Sequence, residues 1–384
     1  MGSLHYPLVF ISAVEPSADL HAAALIRAVG RLRPEVRFVG AAGPRMVEAG
    51  CERIFDMTGQ AAMLLGAARA ACRGAAMLST CDRYLRMYPF EAAVVVDSPT
   101  LHLPLALRAR SAGVPVLYYI APQLWAWGAH RIHRLRDRAD RVAVILPFEE
   151  PYLRGGGVDA RFVGHPLAET VDGAPLDGGA VAELRRAGRP FVALLPGSRQ
   201  HVVREVLPGQ LAVARAIGAK LPGAAFGISV ASPSTESIIL DHLRCGPASI
   251  RAYPNRHREL IEAADLVLVA SGTTTLEVAF RRRPMIVMYN ASPLFYHLVA
   301  RWMIRSPRLS LPNILAGREI VPEFMPYYAT TEPIARRAIE LLQSPDARAA
   351  MVEQLDAVVA PLRGARASDN TAAMLLEMIA SRRH

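Results

Sequence analysis

A chain of 384 residues exceeds what one hydrophobic core usually organises, roughly 250–300 residues, so two domains are expected. With 52% apolar and 20% charged residues it reads as globular, which excludes a disordered chain, and no uncharged apolar run reaches the ~18 residues of a membrane span. The net charge of +10 rests almost wholly on arginine, Lys220 being the single lysine; it suits a phosphorylated ligand, nucleic acid or an anionic membrane surface, and equally an Arg-rich composition with no partner behind it.

In chain order, short Val/Ile/Leu/Phe runs alternate with longer Ala/Arg/Leu helical patterns. The first half offers strands at Leu8–Ala13, Val36–Gly40, Ala92–Asp97, Val114–Ile120, Arg141–Ile145 and Arg161–Val163. The second half offers Phe191–Leu195, Ala225–Val230, Leu266–Ala270 and Pro284–Met288. Such continuous apolar strands, covered by helices on both faces, predict an α/β protein with doubly wound parallel sheets. No basic stretch precedes Leu8–Ala13, so this run reads as a first strand and not a signal peptide. The turn-rich stretch from Asp172 to Gly179 reads as a linker, after which the alternation restarts. Domains of 1–170 and 180–362 follow, with a C-terminal helix, 363–384, rejoining the first. Ligands of two such Rossmann-like domains bind beyond the carboxyl ends of the strands. Cys51, Cys72, Cys81 and Cys245 stand in or near helical patterns without CxxC spacing and read as free thiols; no His/Cys cluster has zinc spacing.

Five strand ends and loops carry candidate chemistry. Glu15, Ser17 and Asp19 follow the first strand, placed either to meet a polar substrate or to charge a helix N-terminus. Asp97 ends the Ala92–Asp97 strand, where a general base belongs and where a turn opener is equally at home. Gly197, Ser198 and Arg199 follow Phe191–Leu195: the glycine permits a tight turn and the arginine offers a fork to phosphate. Ser271, Gly272 and Thr273 lead from strand to helix, an arrangement that points backbone N–H groups at an anion. Glu277, one turn further, suits the two hydroxyls of a ribose, so a nucleotide site is the leading idea there. The polar set Asn313, Arg318 and Glu319 sits in an apolar, Pro/Gly-punctuated frame and reads as a site loop.

Two apolar features remain. Trp125 and Trp127, in PQLWAW, read either as a pocket wall for an acyl chain or sugar or as inter-domain packing. The segment Ala61–Leu78, apolar apart from Arg69 and Arg73, reads either as a membrane-surface helix or as an Ala-rich helix on the sheet.

The segments VEPSADLHAAALIRA (14–28), VGAAGPRM (39–46), PQLWAW (122–127), ILPFE (145–149), FVGHPLAE (162–169), LLPGSR (194–199), SGTTTLE (271–277) and SLPNILAGREIVPE (310–323) stand in this order. Together they closely resemble the lipid-A-disaccharide synthase family, over about residues 8–330. The resemblance implies a GT-B fold with the acceptor in the N-terminal domain and the nucleotide sugar in the C-terminal one. It implies an inverting, metal-independent transfer from UDP-2,3-diacylglucosamine to 2,3-diacylglucosamine 1-phosphate (lipid X), giving the β-1,6 disaccharide 1-phosphate and UDP. Cofactors are none, since the UDP-sugar is a substrate. Carried over, Asp97 matches the base for the acceptor 6-hydroxyl, Arg199 a diphosphate contact, Glu277 the ribose carboxylate, and Asn313 and Arg318 polar residues of the donor loop. Ala61–Leu78 matches a membrane-docking patch, which implies a peripheral protein on the cytoplasmic face of the inner membrane that binds an anionic surface and no nucleic acid. The oligomeric state stays open. The family's first loop usually reads Gly-Glu-x-Ser-Gly-Asp, whereas Val14 and Ala18 replace both glycines here. After Asp97-Ser98-Pro99 the family has Asp-Phe-Asn and this chain has Thr100-Leu101-His102; a usual Glu is Val202. A related UDP-sugar transferase with another acceptor is the alternative.

Overall fold

The computed structural model describes residues 6–56, 67–128, 131–173, 175–244, 249–290 and 308–382. The chain divides into two compact units, Met1–Glu169 with Leu362–His384, and Thr170–Pro361.

The first unit holds strands β1 (Leu8–Ala13), β2 (Arg37–Ala41), β3 (Cys51–Phe55), β4 (Ala92–Val96), β5 (Val116–Tyr119), β6 (Arg141–Val144) and β7 (Ala160–Phe162). They form one sheet in the order β3-β2-β1-β4-β5-β6-β7. Every pairing is parallel. The two-residue period of a strand sends alternate side chains to opposite faces. Val9, Ile11 and Ala13 enter one core with Leu25 and Val29 of the helix Pro16–Leu32 and with Met374, Leu375 and Met378 of the helix Ala367–Ser381. Phe10 and Val14 enter the other with Met77, Cys81 and Leu85 of the helix Ala67–Met87. The tail helix is tied down by polar contacts as well. Ser368 donates its amide and hydroxyl to Glu169, and Asn370 donates to the Val163 carbonyl.

The second unit holds β8 (Phe191–Leu195), β9 (Ala225–Val230), β10 (Ile250–Pro254), β11 (Leu266–Val269), β12 (Met285–Met288) and β13 (Glu323–Phe324), in the parallel order β10-β9-β8-β11-β12-β13. From the helix Gln200–Lys220, the buried Gln210 side-chain amide donates to the carbonyls of Leu195 and Leu268. It thereby holds the carboxyl ends of β8 and β11 side by side.

All ten expected strands are present within two residues at either end. Three were not expected: β3, β10 and β13. The stretch taken for a linker is shorter, because the helices Pro166–Gly173 and Gly178–Arg186 close in on it and Asp177 caps the second through the Ala180 amide. Cys51 opens a strand and not a helix. Burial pushes the Cys51 and Cys81 thiols up to about 12, so neither is a reactive thiolate. Cys245 lies outside the described residues. No described helix is long and apolar enough to cross a membrane.

Candidate functional site

In each sheet the strand order reverses direction at one place, between β1 and β4 in the first unit and between β8 and β11 in the second. At such a switch point the following loops diverge and leave a crevice for ligand. Glu15 follows β1 and Asp97 follows β4; Gly197, Ser198 and Arg199 follow β8, and Ser271, Gly272 and Thr273 follow β11. The candidate residues therefore stand at the two positions where a doubly wound sheet binds.

At the first switch point Glu15 and Ser17 are exposed, and the Ser98 hydroxyl donates to Glu15 Oε1 at 3.2 Å. Asp97 and Ser98 are both left-handed, with φ of 57° and 46°. That costs an L-residue on the order of 1–2 kcal/mol each. The turn is pinned by its own carbonyl: Asp97 C=O accepts from the Tyr118 hydroxyl at 2.8 Å and from His102 Nδ1 at 2.7 Å. Burial raises the Asp97 carboxyl above the ordinary carboxylate range; the Ser98 amide opposes this and Glu15 adds to it. A half-buried carboxylate with a raised pKa at a strand end is suited to taking a proton.

The loop glycines that the chain lacks are not needed. Val14 and Ala18 are buried, and no residue from 14 to 19 has a positive φ. Asp19, expected in the chemistry, does other work. It is 2% exposed, and its two oxygens accept the amides of Arg45 and Met46, capping the helix Pro44–Glu48.

At the second switch point Gly197 has φ 109°, and a Cβ there would lie 2.9 Å from Val202 Cγ1. Only glycine fits, and the family-atypical Val202 is what closes over it. Arg199 is exposed and is the N-cap of the helix Gln200–Lys220, without a side-chain capping bond. The first-turn amides of that 21-residue helix are thus left to an incoming anion. The Ser271–Thr273 turn contributes less helix dipole than its sequence implies, since the helix Thr274–Phe280 has only seven residues. The Thr275, Leu276 and Glu277 amides bond back to Gly272 and Thr273, so the part of the turn that faces a ligand is Ser271–Thr274.

Glu277 is held by a residue that sequence reasoning missed. His257 Nε2 lies 3.1 Å from Glu277 Oε2, and His257 Nδ1 lies 3.0 Å from the Ser229 hydroxyl on β9. Burial alone would raise the Glu277 carboxyl, but the His257 contact, with Arg281 and Arg258 nearby, outweighs it and holds the group below the ordinary range. Glu277 is thus a fixed carboxylate. Tyr289, just past β12, donates to Glu205 Oε2 at 2.7 Å on the same carboxyl edge; burial and Glu205 push it up to about 12.

The Asn313 side chain is turned into its own loop. It is 1% exposed, its Oδ1 accepts the Ile320 and Val321 amides, and its Nδ2 donates to the Val321 carbonyl and Glu323. Arg318 is exposed and donates to Gln354 Oε1 on the helix Pro345–Val359. Trp125 Nε1 donates to Glu149 Oε1 at 3.1 Å and its ring meets Phe148 edge-on at 5.1 Å, packing within the first unit. In the apolar segment, residues 61–66 lie outside the described residues. Further along, Met77 is fully buried, and Arg73 donates to the Asp56 carbonyl and lies over the Phe55 ring. Its described part is packed on the sheet. No group of three or more His, Cys, Asp or Glu able to hold a metal ion occurs among the described residues.

Solved structures similar in shape share this architecture. A UDP-N-acetylglucosamine 2-epimerase described as putative, from Listeria monocytogenes, has a TM-score of 0.64 at 13% identity, covering 98% of this chain and 96% of its own. The glycotransferase of kitacinnamycin has a TM-score of 0.63 at 16% identity, covering 97% and 98%. The class defined by the fold is thus the GT-B type, two parallel-sheet units each with one switch point in its strand order. Within that class the model described as Lipid-A-disaccharide synthetase matches residues 9–375, so the chain belongs to that family. Lipid-A-disaccharide synthase of Syntrophus aciditrophicus is 35% identical over 97% of this chain and 98% of its own, and that of Anaeromyxobacter sp. (strain K) is 38% identical over 92% and 93%.

Proposed function

We propose that this chain joins UDP-2,3-diacylglucosamine to 2,3-diacylglucosamine 1-phosphate, giving the β-1,6 disaccharide 1-phosphate and UDP. The observation that carries the reading is that the first unit's switch point holds a half-buried carboxylate of raised pKa, Asp97, and the second unit's holds a helix N-terminus without a side-chain cap, behind Gly197–Arg199. Asp97 takes the proton of the acceptor 6-hydroxyl. The freed oxygen attacks the donor anomeric carbon from the face opposite the diphosphate, the anomeric C–O bond breaks, and the electron pair leaves on UDP with inversion. Arg199 and the first-turn amides of the helix Gln200–Lys220 meet the growing diphosphate charge, so protein groups fill the place a metal ion takes elsewhere. Glu277 accepts the ribose hydroxyls, and the exposed Glu15, which accepts from Ser98, keeps the acceptor hydroxyl near Asp97.

The test is UDP release from the donor with and without lipid X, in mixed micelles containing EDTA, with the product weighed by mass spectrometry. Release that requires lipid X and yields a tetraacyl disaccharide phosphate is expected. Donor binding without release would mean another acceptor, for which the altered Thr100–His102 segment is the motive. Asp97→Asn is expected to lower kcat by roughly 10²–10⁴-fold with donor affinity unchanged. We further propose that the segment through residue 78, with the basic surface, brings the chain to the anionic face where lipid substrates lie. Vesicle binding that rises with anionic lipid and falls with salt is the expected result; insensitivity to both would refute it.

A further inference from the structure

Asp97 can act as a base only if its carboxylate is aimed, and two successive left-handed residues, Asp97 and Ser98, carry a backbone cost that other contacts must offset. The peptide between Asp97 and Ser98 is turned so that the Asp97 carbonyl points into the protein, where two side chains donate to it, Tyr118 Oη and His102 Nδ1. His102 is itself completely buried, and its Nε2 lies 2.9 Å from the Ser12 hydroxyl. The protons follow from the partners. A carbonyl only accepts, so Nδ1 carries the hydrogen, Nε2 is bare, and Ser12 donates to it. Burial lowers His102 to about 4, in keeping with a neutral ring of this one tautomer.

The contact runs across three neighbouring strands. Ser12 is on β1, Asp97 ends β4 and Tyr118 is on β5, while His102 comes from the first turn of the helix Pro99–Ser111 that Asp97 and Ser98 introduce. A left-handed peptide at a switch point is thus fastened from both sides of the switch, with both lone pairs of its carbonyl occupied.

We infer that His102 is a positioning residue for the transfer reaction: with Tyr118 it locks the Asp97–Ser98 peptide, and so fixes the direction in which the Asp97 carboxylate meets the acceptor hydroxyl. This rests on the reading of Asp97 as the base. His102 touches no substrate; the Asp97 carbonyl sets its tautomer and Ser12 donates to the nitrogen left bare. Asparagine, which stands at this place in the family pattern, has a side-chain amide that can donate to the same carbonyl, whereas leucine cannot.

The experiment compares the full-length chain with Asp97→Asn, His102→Leu, His102→Asn, Tyr118→Phe and the double variant Asp97→Asn/His102→Leu. For each, kcat, UDP affinity and thermal midpoint are measured. His102→Leu is expected to lower kcat on the order of 100-fold, the cost of misaiming a reacting group by about an ångström, with UDP affinity unchanged. His102→Asn should recover most of that loss. Tyr118→Phe, which removes one hydroxyl and leaves the ring, should lose kcat in the same sense and guards against a His102→Leu that fails to fold. In the Asp97→Asn background His102→Leu should lower kcat no further, because a residue acting through Asp97 has nothing left to position. Wild-type kcat in folded His102→Leu and Tyr118→Phe would overturn the inference while leaving the base in place. So would a loss that adds in full to that of Asp97→Asn. A nearly active Asp97→Asn would instead remove the base itself, and the inference with it.

Discussion

At the scale of single residues, what separates working side chains from structural ones is how much of their hydrogen-bonding capacity is already used. Glu15, Ser17 and Arg199 keep theirs facing solvent, whereas Asp19 spends both oxygens on backbone amides and Asn313 spends its whole amide on the 320–323 segment. Asn313→Ala is expected to strand several buried groups at once, each worth ~1–3 kcal/mol. It should lower the thermal midpoint sharply, with UDP affinity lost only in step with folding. Glu277→Gln should weaken UDP binding by roughly tenfold and also lower the thermal midpoint, since the carboxylate faces His257 and Arg281 as well as ligand; calorimetry reads both, and unchanged affinity in the folded variant would take Glu277 out of the ribose site. The places of Asp97, Arg199 and Glu277 at the carboxyl edge of the sheets could be read from sequence because each stands directly after a buried strand or on the loop and first helical turn that follow one. The burial of Asn313 could not, because a polar side chain in a Pro/Gly turn looks the same in sequence whether it faces a cleft or its own loop. His257 was not legible at all: its partners, Ser229 and Glu277, lie 28 and 20 residues away.

At the scale of elements, the central strands announced themselves and three of the four edge strands did not. β4, β8 and β11 are sandwiched between helices and so are apolar without interruption, and β1 is broken only by Ser12. At the edges, β7 was readable, whereas β3, β10 and β13 carry Glu52, Arg53, Arg251 and Glu323, which break the apolar run that a sequence reader looks for. Loops follow the same logic at a finer grain. The Glu149 carboxyl joins the turn after β6 to the short helix Leu124–Trp127, accepting from Trp125 Nε1 and from the Leu146 amide. Burial raises it to about 7, against the opposing pull of those donors. A carboxyl whose folded pKa exceeds its unfolded value contributes stability below the unfolded value, near 4.5, and loses it as pH rises through about 7. The Glu149 contribution runs against that of the neutral His21, His102 and His165, each lowered by burial to about 4, so it is read as a difference: in urea, Glu149→Gln should gain stability relative to the parent chain as pH rises from 5 to 8. A difference that stays constant with pH would place the titration elsewhere.

At the scale of the whole molecule, the first unit is discontinuous in sequence and the second is continuous. The helix Ala367–Ser381 supplies Met374, Leu375, Met378 and Ile379 to the core that also holds Val9, Ile11, Leu25 and Val29. Four large apolar side chains at ~1.5–3 kcal/mol each rival the entire ~5–15 kcal/mol by which a domain is stable. Ending the chain at Pro361 should leave the first unit unfolded, while the second still binds UDP; a soluble truncated chain with native near-ultraviolet dichroism would show the helix to be dispensable. The returning helix also imposes a timetable. A ribosome adding ~5–20 residues per second needs roughly ten to forty seconds to travel from Glu169 to Leu362. Through that interval the second unit is being made, and the first waits with one face of its sheet covered by the helix Pro16–Leu32 but lacking the helix Ala367–Ser381. For this chain the hazard of birth is greatest in the half that was made first.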